Sequence, residues 1–299
     1  ATAERCFAVV SDREADAPAA TARELAAAAA FDDALAASRR VWQQRWRYMD
    51  VELEGNDHDQ KVIRYSLFQV LQMLPPASAT LSIPARALSF NRYRGLYFWD
   101  TETFILPVFT YALPAGARDL LRFRTALLAG ARKTAAAKLG REGALFPWMS
   151  DAEAGCDNSI DGRVTYLQHQ NGDIAYAFDQ YGRASGDTAF MAEHGLPVLA
   201  ETARFWVGHL EEDDDGTWHS VNAVGPDEST QAGRDNGFTN LLARDNLECA
   251  VAWAERLAQA EPHRFDDART QLDLTDAEVE RWRRVAAQLC IPHVPGKPD

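Results

Sequence analysis

The sequence predicts an all-α fold. Long segments are rich in Ala, Leu, Arg and Gln, which favour helices. Within them, apolar side chains recur every three or four residues, which is the spacing of one helix face. Alternating runs of β-branched residues are scarce, and the only strand material lies around residues 217–224. A chain with this pattern should form about eight helices joined by long polar connections.

The first three helical patterns lie in the N-terminal third of the chain. Residues 21–48 form one or two helices, since Leu, Val and Trp side chains recur at helical spacing. Residues 57–74 carry one apolar stripe, and Pro75-Pro76 ends that helix. A third helix follows Asp100, with Pro107 either in its first turns or at a kink.

The other predicted helices cover residues 117–139, 173–184, 197–210 and 239–260, and a last helix begins at Thr275. Gly140 should stop the first of these. Thr275 and Glu278 have the form of a capping box, in which each side chain satisfies an amide of the first turn. Long loops remain at residues 77–99, 140–171 and 211–238, and such loops are unusual unless they carry function.

Composition excludes several classes of function. The chain has 299 residues, a net charge of −13 and a pI near 5.0, which argues against nucleic acid or another polyanion as partner. With 46% apolar and 25% charged residues, it should be a soluble globular protein of one large or two ordinary domains. The sequence leaves open whether the protein forms a homodimer.

Four cysteines stand far apart without zinc-site spacing, so we expect reduced thiols, a cytoplasmic protein and no metal. No apolar run approaches the roughly 20 residues that span a bilayer, and no signal peptide is recognisable, so no membrane partner is expected. The chain begins without Met and ends in a proline-rich stretch at residues 292–299, which suggests a piece of a longer protein.

The loop sequence Gly225-Pro226-Asp227-Glu228 offers a candidate general acid. An acid that protonates a glycosidic oxygen must hold its proton near neutral pH, and burial or a neighbouring carboxylate raises its pKa in that direction. Glu228 fits this role, with Asp227 as the neighbour. The alternative is a turn that carries two solvated acids.

An aromatic stretch, residues 93–99, leads into Asp100. Sugars present apolar faces to aromatic rings and hydroxyl rims to carboxylates and Arg, so Trp99 and Asp100 could line a sugar site. Alternatively, Asp100 caps the helix and the rings belong to the core. Trp148 is either a sugar platform or a buried structural Trp, and His169 on its own is more typical of a structural histidine. The acidic run at residues 211–215 is interpreted as a solvated turn.

Taken together, these segments resemble family 65 of the glycoside hydrolases, which contains inverting maltose, trehalose, kojibiose and nigerose phosphorylases and some related hydrolases. Their order and spacing agree with that family over about residues 40–295. The matching blocks are Ile83-Pro84-Ala85-Arg86, Tyr93-Arg94-Gly95, Phe98-Trp99-Asp100-Thr101-Glu102, Phe146-Pro147-Trp148, Asp173-Ile174-Ala175-Tyr176-Ala177, Glu201-Thr202-Ala203-Arg204-Phe205-Trp206, Gly225-Pro226-Asp227-Glu228, and Asp235-Asn236 with Thr239-Asn240.

The resemblance implies an (α/α)6 barrel catalytic domain that is incomplete in this chain. Residues 1–50 would be linker helices leading from an N-terminal β-sandwich that is not present, and residues 51–299 the first part of the barrel. Glu228 would be the catalytic general acid. The implied substrate-binding residues are Arg94, Trp99, Asp100, Trp148 and His169: Trp99 and Asp100 hold the glucosyl unit, and Trp148 lies near the acceptor sugar.

The implied reaction is inverting cleavage of an α-linked glucosyl disaccharide, with phosphorolysis to β-glucose 1-phosphate and a sugar favoured. Inorganic phosphate would be a co-substrate and no cofactor would be needed. The alternatives are an inverting hydrolase and a non-catalytic carbohydrate-binding fragment. Met149 and Ser229 depart from the Glu and the aromatic residue that the family usually has there, so the acceptor sugar stays open. The family places the phosphate site, or the water-activating base, in a region that follows residue 299.

Overall fold

The fold is that of a computed structural model that describes residues 4–12, 14–75, 78–87, 92–151, 166–227 and 229–293. The all-α prediction is confirmed: the described ranges contain eleven α-helices and only one two-stranded sheet. The helices are α1 (Pro18–Ala28), α2 (Phe31–Met49), α3 (Asp57–Met73), α4 (Leu106–Ala112), α5 (Pro114–Thr134), α6 (Gln170–Ser185), α7 (Thr188–Phe190), α8 (Leu196–His209), α9 (Gly237–Ala260), α10 (Pro262–Leu272) and α11 (Asp276–Gln288). Strand β1 (Glu211–Glu212) pairs antiparallel with β2 (Trp218–His219).

The chain divides into two compact units, residues 1–71 and 72–299. In the first unit α2 packs beside α3: the rings of Trp42 and Phe68 lie 4.9 Å apart, and Arg45 donates a hydrogen bond to the carbonyl of Leu71 at 3.0 Å. The predicted domain boundary after residue 50 stays a prediction.

The second unit has a core of large buried side chains on α5, α6, α8 and α9. Trp206 and Trp253 are 0% and 2% exposed, and each indole N–H still has a partner, Asn246 and Asp179 respectively. Gly172 lets α6 approach α9, because a Cβ there would lie 2.5 Å from the Cβ of Leu242. This close packing holds the first turn of α6 in place. That turn carries His169 at its N-cap and leads into the Asp173–Ala177 block.

Most helix boundaries agree with the sequence pattern. Gly140 ends the α5 segment in a left-handed conformation (φ 61°), as predicted. Pro107 lies in the first turn of α4, directly after a π-helical turn at Thr101–Ile105. Helix α6 begins at Gln170, three residues before the predicted start.

Other expectations need correction. The capping box of α11 is only half formed: Thr275 accepts the amide of Glu278 at 3.2 Å, but the Glu278 carboxylate binds Arg204 at 2.6 Å. Helix α10 was not predicted, because only Ala268 and Leu272 are buried and the apolar stripe is weak. The expected strand at residues 217–224 shortens to two residues. No helix in the described ranges has the length and apolar character needed to cross a membrane.

Candidate active site

A cleft of about 350 Å³ brings several predicted site residues together. Its walls carry Trp99, Asp100 and Trp148, three of the five substrate-binding residues that the resemblance implied. The complete lining is Ala85, Arg86, Tyr93, Phe98, Trp99, Asp100, Trp148 and Pro226. The cleft therefore combines aromatic rings, one carboxylate and one guanidinium, which suits a ligand with apolar faces and hydroxyl groups.

The two tryptophans form one aromatic wall. Their ring centroids lie 6.2 Å apart with the planes tilted by 48°. Trp148 is 4% exposed and packs in a buried cluster with Phe98, Leu167 and Val224, whereas Trp99 is half-buried and packs against the edge of that cluster. Trp148 is therefore buried and also lines the cleft, and its role as a sugar platform stays a prediction.

His169 supports this wall from within the protein. Its ring is fully buried and meets Trp99 edge-on at 4.9 Å and Trp148 at 5.4 Å. Nδ1 lies 2.7 Å from the Asp173 carboxylate, to which the hydroxyl of Thr103 also donates at 3.4 Å. His169 occupies the N-cap position of α6, so the first turn of that helix sets the ring position.

The Asp173 contact determines which nitrogen of His169 carries the proton. Burial raises the pKa of Asp173, and the hydrogen bond from His169 acts in the opposite direction. With an ionised Asp173, Nδ1–H donates and Nε2 remains an acceptor. Nε2 is buried and has no hydrogen-bond partner among the described residues. Such a nitrogen, beside two tryptophans, is suited to accept a hydrogen bond from a hydroxyl group.

Asp100 does not cap a helix. It precedes the π-helical turn, but its side chain makes no capping hydrogen bond, and it forms no side-chain hydrogen bond to another described residue. Burial raises the pKa of Asp100, and the charge of Glu102 acts in the same direction. The carboxylate is therefore available for ligand hydroxyls, and the capping interpretation of the sequence is wrong.

Arg124 connects the two chain segments that carry Trp99 and Trp148. It reaches from α5 and binds Glu102 through two hydrogen bonds of 2.7 and 2.8 Å. The same guanidinium donates to the carbonyl of Phe98 at 3.1 Å and to the hydroxyl of Ser150 at 3.2 Å. Tyr97 and Ser150 also exchange two backbone hydrogen bonds of 2.8 and 2.9 Å. Trp99 and Trp148 thus stand on two segments that are fixed to each other.

The loop that begins at Ala223 and ends at Gly233 reaches the cleft through Pro226. Ala223 and Gly233 close its base with two backbone hydrogen bonds of 2.9 and 3.1 Å. Val224 is buried and accepts a hydrogen bond from Thr239 at 3.2 Å. Pro226 lines the cleft two residues before Glu228. Glu228 itself lies outside the described residues, so its position stays a prediction.

Asp227 is exposed, and the side chain and the amide of Ser229 bind its carboxylate at 2.6 and 3.0 Å. These hydrogen bonds lower the pKa of Asp227. Asp227 is therefore ionised at neutral pH, as an exposed carboxylate normally is.

Arg94 is not placed in the cleft wall. Its side chain is exposed and it adopts a left-handed backbone (φ 53°), while its neighbour Tyr93 lines the cleft. The arginine that does line the cleft is Arg86, whose guanidinium lies over the ring of Tyr93 at 5.9 Å. Arg86 belongs to the Ile83–Arg86 block, so the sequence resemblance already marked its segment. The hydroxyl of Thr101 donates to the carbonyl of Ile83 at 2.9 Å, which fixes that block beside the aromatic stretch.

Known proteins share both sequence and fold with this chain. A kojibiose phosphorylase of Halothermothrix orenii is 31% identical over 277 residues, covering 88% of this chain and 35% of the relative. An alpha,alpha-trehalose phosphorylase of Geobacillus stearothermophilus is 34% identical over 268 residues, covering 89% and 34%. The chain thus spans about a third of the length of the curated relatives it matches.

A solved structure of a candidate kojibiose phosphorylase from the human microbiome superposes with a TM-score of 0.79. At 23% identity, over 92% of this chain and 40% of that one, the match establishes a common fold. Residues 64–296 match the sequence model of the glycosyl hydrolase family 65 central catalytic domain. The chain therefore belongs to glycosyl hydrolase family 65, and most of it is central catalytic domain.

Proposed function

We propose that the full-length protein cleaves an α-linked glucosyl disaccharide by phosphorolysis, with inversion, and releases β-glucose 1-phosphate. Family membership and the names of the relatives support phosphorolysis. The observation that carries the proposal is the shared cleft of Trp99, Asp100 and Trp148, with Pro226 in its wall two residues before Glu228.

In this mechanism the cleft holds the sugar and Glu228 supplies the proton. The rings of Trp99 and Trp148 cover apolar sugar faces, and the free carboxylate of Asp100 accepts hydrogen bonds from hydroxyl groups. Glu228 protonates the leaving oxygen while phosphate attacks the opposite face of an oxocarbenium-like centre. The proton moves to the released sugar, and the anomeric carbon exchanges its glycosidic bond for a bond to phosphate oxygen.

The acid role of Glu228 is supported by the Gly225-Pro226-Asp227-Glu228 block, in which Pro226 lines the cleft. Phosphate is a common intracellular co-substrate, and the described cysteines Cys6, Cys249 and Cys290 are free thiols. Both features support a cytoplasmic enzyme, and the proposal that the reaction needs no cofactor is supported by the family resemblance alone.

The decisive experiment compares substrates and phosphate. The purified full-length protein is incubated with maltose, trehalose, kojibiose and nigerose, each with and without phosphate. Phosphate-dependent release of β-glucose 1-phosphate from one sugar is the expected result. Glucose release that does not depend on phosphate would indicate a hydrolase instead, in which a base carboxylate roughly 6.5 to 9.5 Å from the acid activates water. Binding without turnover of any of the four would contradict the proposal and favour a carbohydrate-binding module.

A further inference from the structure

A second cluster of reactive side chains lies outside the cleft. It consists of His219 on β2, Asp235 in the loop before α9, and Cys290 directly after α11. One ligand-type atom from each residue lies within 4.8 Å of the other two. The Nδ1 atom of His219 and the Oδ2 atom of Asp235 are 2.7 Å apart. All three side chains are partly buried, and none lines the sugar cleft.

Neighbouring polar groups orient these three side chains. Asp213 places a carboxylate oxygen 3.3 Å from Nε2 of His219. Asn240 donates to Oδ1 of Asp235 at 3.0 Å and to the carbonyl of Cys290 at 2.7 Å. Histidine ligands of metals characteristically donate their second ring N–H to a carboxylate, and carboxylate ligands are themselves hydrogen-bonded. The cluster therefore has an outer layer of the kind that surrounds metal sites.

We propose that Nδ1 of His219, Oδ2 of Asp235 and Sγ of Cys290 bind a divalent transition metal ion of the zinc class. A thiolate with an imidazole favours zinc over magnesium or calcium, which prefer oxygen ligands. Three protein ligands leave the fourth tetrahedral position for water.

The charges and protons of the site balance. On binding, the Cys290 thiol releases its proton to solvent. The proton between Nδ1 of His219 and Asp235 also leaves to solvent while Nε2 takes one up, so a neutral imidazole binds the ion through Nδ1 and directs Nε2–H to Asp213. The thiolate and the Asp235 carboxylate then neutralise the two charges of the ion. Arg234 pairs with Asp213 at 2.8 Å and with Asp235 at 3.7 Å, so it offsets the remaining carboxylate.

The contact between His219 and Asp235 needs only a small adjustment. Ligand atoms on a tetrahedral zinc ion lie about 3.3 Å apart when bonds are about 2.0–2.1 Å long. The 2.7 Å contact between His219 and Asp235 must therefore open by roughly half an ångström as the metal replaces the shared proton.

A bound ion would fasten the segment after α11 to the region that carries the 223–233 loop. Among the described residues, the amide of Cys290 donates to the carbonyl of Trp218 at 2.8 Å, and Asn240 on α9 donates to the carbonyl of Cys290 at 2.7 Å. A metal that joins His219, Asp235 and Cys290 would add a further link. Since it binds the folded protein, it should raise the melting temperature.

The test titrates Co²⁺, as a spectroscopic probe for zinc, into the purified full-length protein. The expected result is a thiolate-to-cobalt charge-transfer band and tetrahedral d–d bands that saturate at one equivalent and disappear when Zn²⁺ is added. Cys290→Ser should abolish the thiolate band. Cys249→Ser is the matched control and should retain it, because Cys249 is another partly buried free thiol. No band at stoichiometric Co²⁺, or a band that survives in Cys290→Ser, overturns the proposal.

A measurement on the unmodified protein covers the case in which a variant does not fold. Thiol alkylation followed by peptide mapping is run with and without Zn²⁺. Protection of Cys290 at least tenfold greater than that of Cys6 in the same sample supports the site, and equal protection contradicts it. Asp213→Asn should weaken Co²⁺ binding by about 10- to 100-fold, the usual effect of losing an outer-layer partner. Undiminished binding in that variant would contradict the assigned His219 orientation.

Discussion

Arg124 holds Glu102 through two parallel hydrogen bonds while both side chains are almost fully buried, at 1% and 2% exposed. Taking two charges out of water is costly, and the pair is tolerated because it also satisfies Phe98 and Ser150. Its importance lies in positioning, since it ties α5 to both segments that carry the cleft tryptophans.

Removal of one partner should therefore be severe. Arg124→Met leaves Glu102 buried and unpaired, and we expect it to lower the free energy of unfolding by about 3–5 kcal/mol. The double variant Arg124→Met/Glu102→Met should recover most of that loss, because no buried charge remains. Urea unfolding measures both. Arg283→Met is the control, since its pair with Glu255 is exposed and should contribute no more than about 1 kcal/mol. A cost for Arg124→Met as small as that of the control would contradict the argument.

Asp100→Asn should trade activity for stability. Burial raises the pKa of Asp100, so the folded protein binds this proton more tightly than the unfolded chain. Folding stability then falls as pH rises from the ordinary value of 3.8 through the raised pKa, and Asn removes that cost. The variant should melt at a higher temperature than wild type at pH 7, and the difference should shrink toward pH 4.

The same variant should lose catalytic efficiency. Hydrogen bonds to a charged acceptor are stronger than those to an amide, so kcat/KM should fall about tenfold or more. Asp214→Asn, which changes an exposed acid, is the control for both measurements. If Asp100→Asn is both less stable at pH 7 and fully active, Asp100 has a structural role rather than a substrate-binding one.

Trp99 can be tested without destroying the core, because it is only half-buried. Trp99→Ala should raise KM for the sugar by about 2- to 13-fold, which corresponds to the roughly 0.5–1.5 kcal/mol of an aromatic contact. Circular dichroism should show an intact helical fold. Tyr111→Ala, at a position that is 70% exposed on α4, should leave KM unchanged. Equal effects of the two variants would remove Trp99 from the sugar site.

Glu228→Gln should abolish the proton donation and keep the side-chain shape. On an unactivated disaccharide we expect turnover to fall by about 10²- to 10⁴-fold. An α-glucosyl fluoride needs no protonated leaving group, so the variant should retain most of the wild-type rate on that substrate. Steady-state kinetics with both substrates give the ratio. Turnover of the disaccharide at the wild-type rate, or an equal loss on both substrates, would assign the acid to another residue.

The helices could be predicted because their signals are local. The apolar stripe of α3, the glycine after the α5 segment and the threonine before α11 each act over a few residues. The second half of the capping box failed because a tertiary contact intervened: Arg204 takes the carboxylate of Glu278. Helix α10 shows the same limit, since only two of its residues are buried and its sequence resembles a polar connection.

The site could be predicted only where residues carry a recognisable block. The grouping of Trp99, Asp100 and Trp148 came from the resemblance, and the cleft now contains all three. The role of Arg124 left no trace in the sequence, because an arginine on an amphipathic helix is normally exposed. Arg86 rather than Arg94 lines the cleft, and no spacing rule anticipates the left-handed turn at Tyr93 and Arg94; a substrate-binding role of Arg94 stays a prediction.

The paired backbone contacts between Ala223 and Gly233 have an evolutionary consequence. They hold both ends of this segment on the helical scaffold, so residues 230–232 can change between relatives without disturbing the helices below, while the cleft residue Pro226 and the proposed acid at position 228 are retained. Grafting of those three residues between family members is the engineering route that the architecture offers.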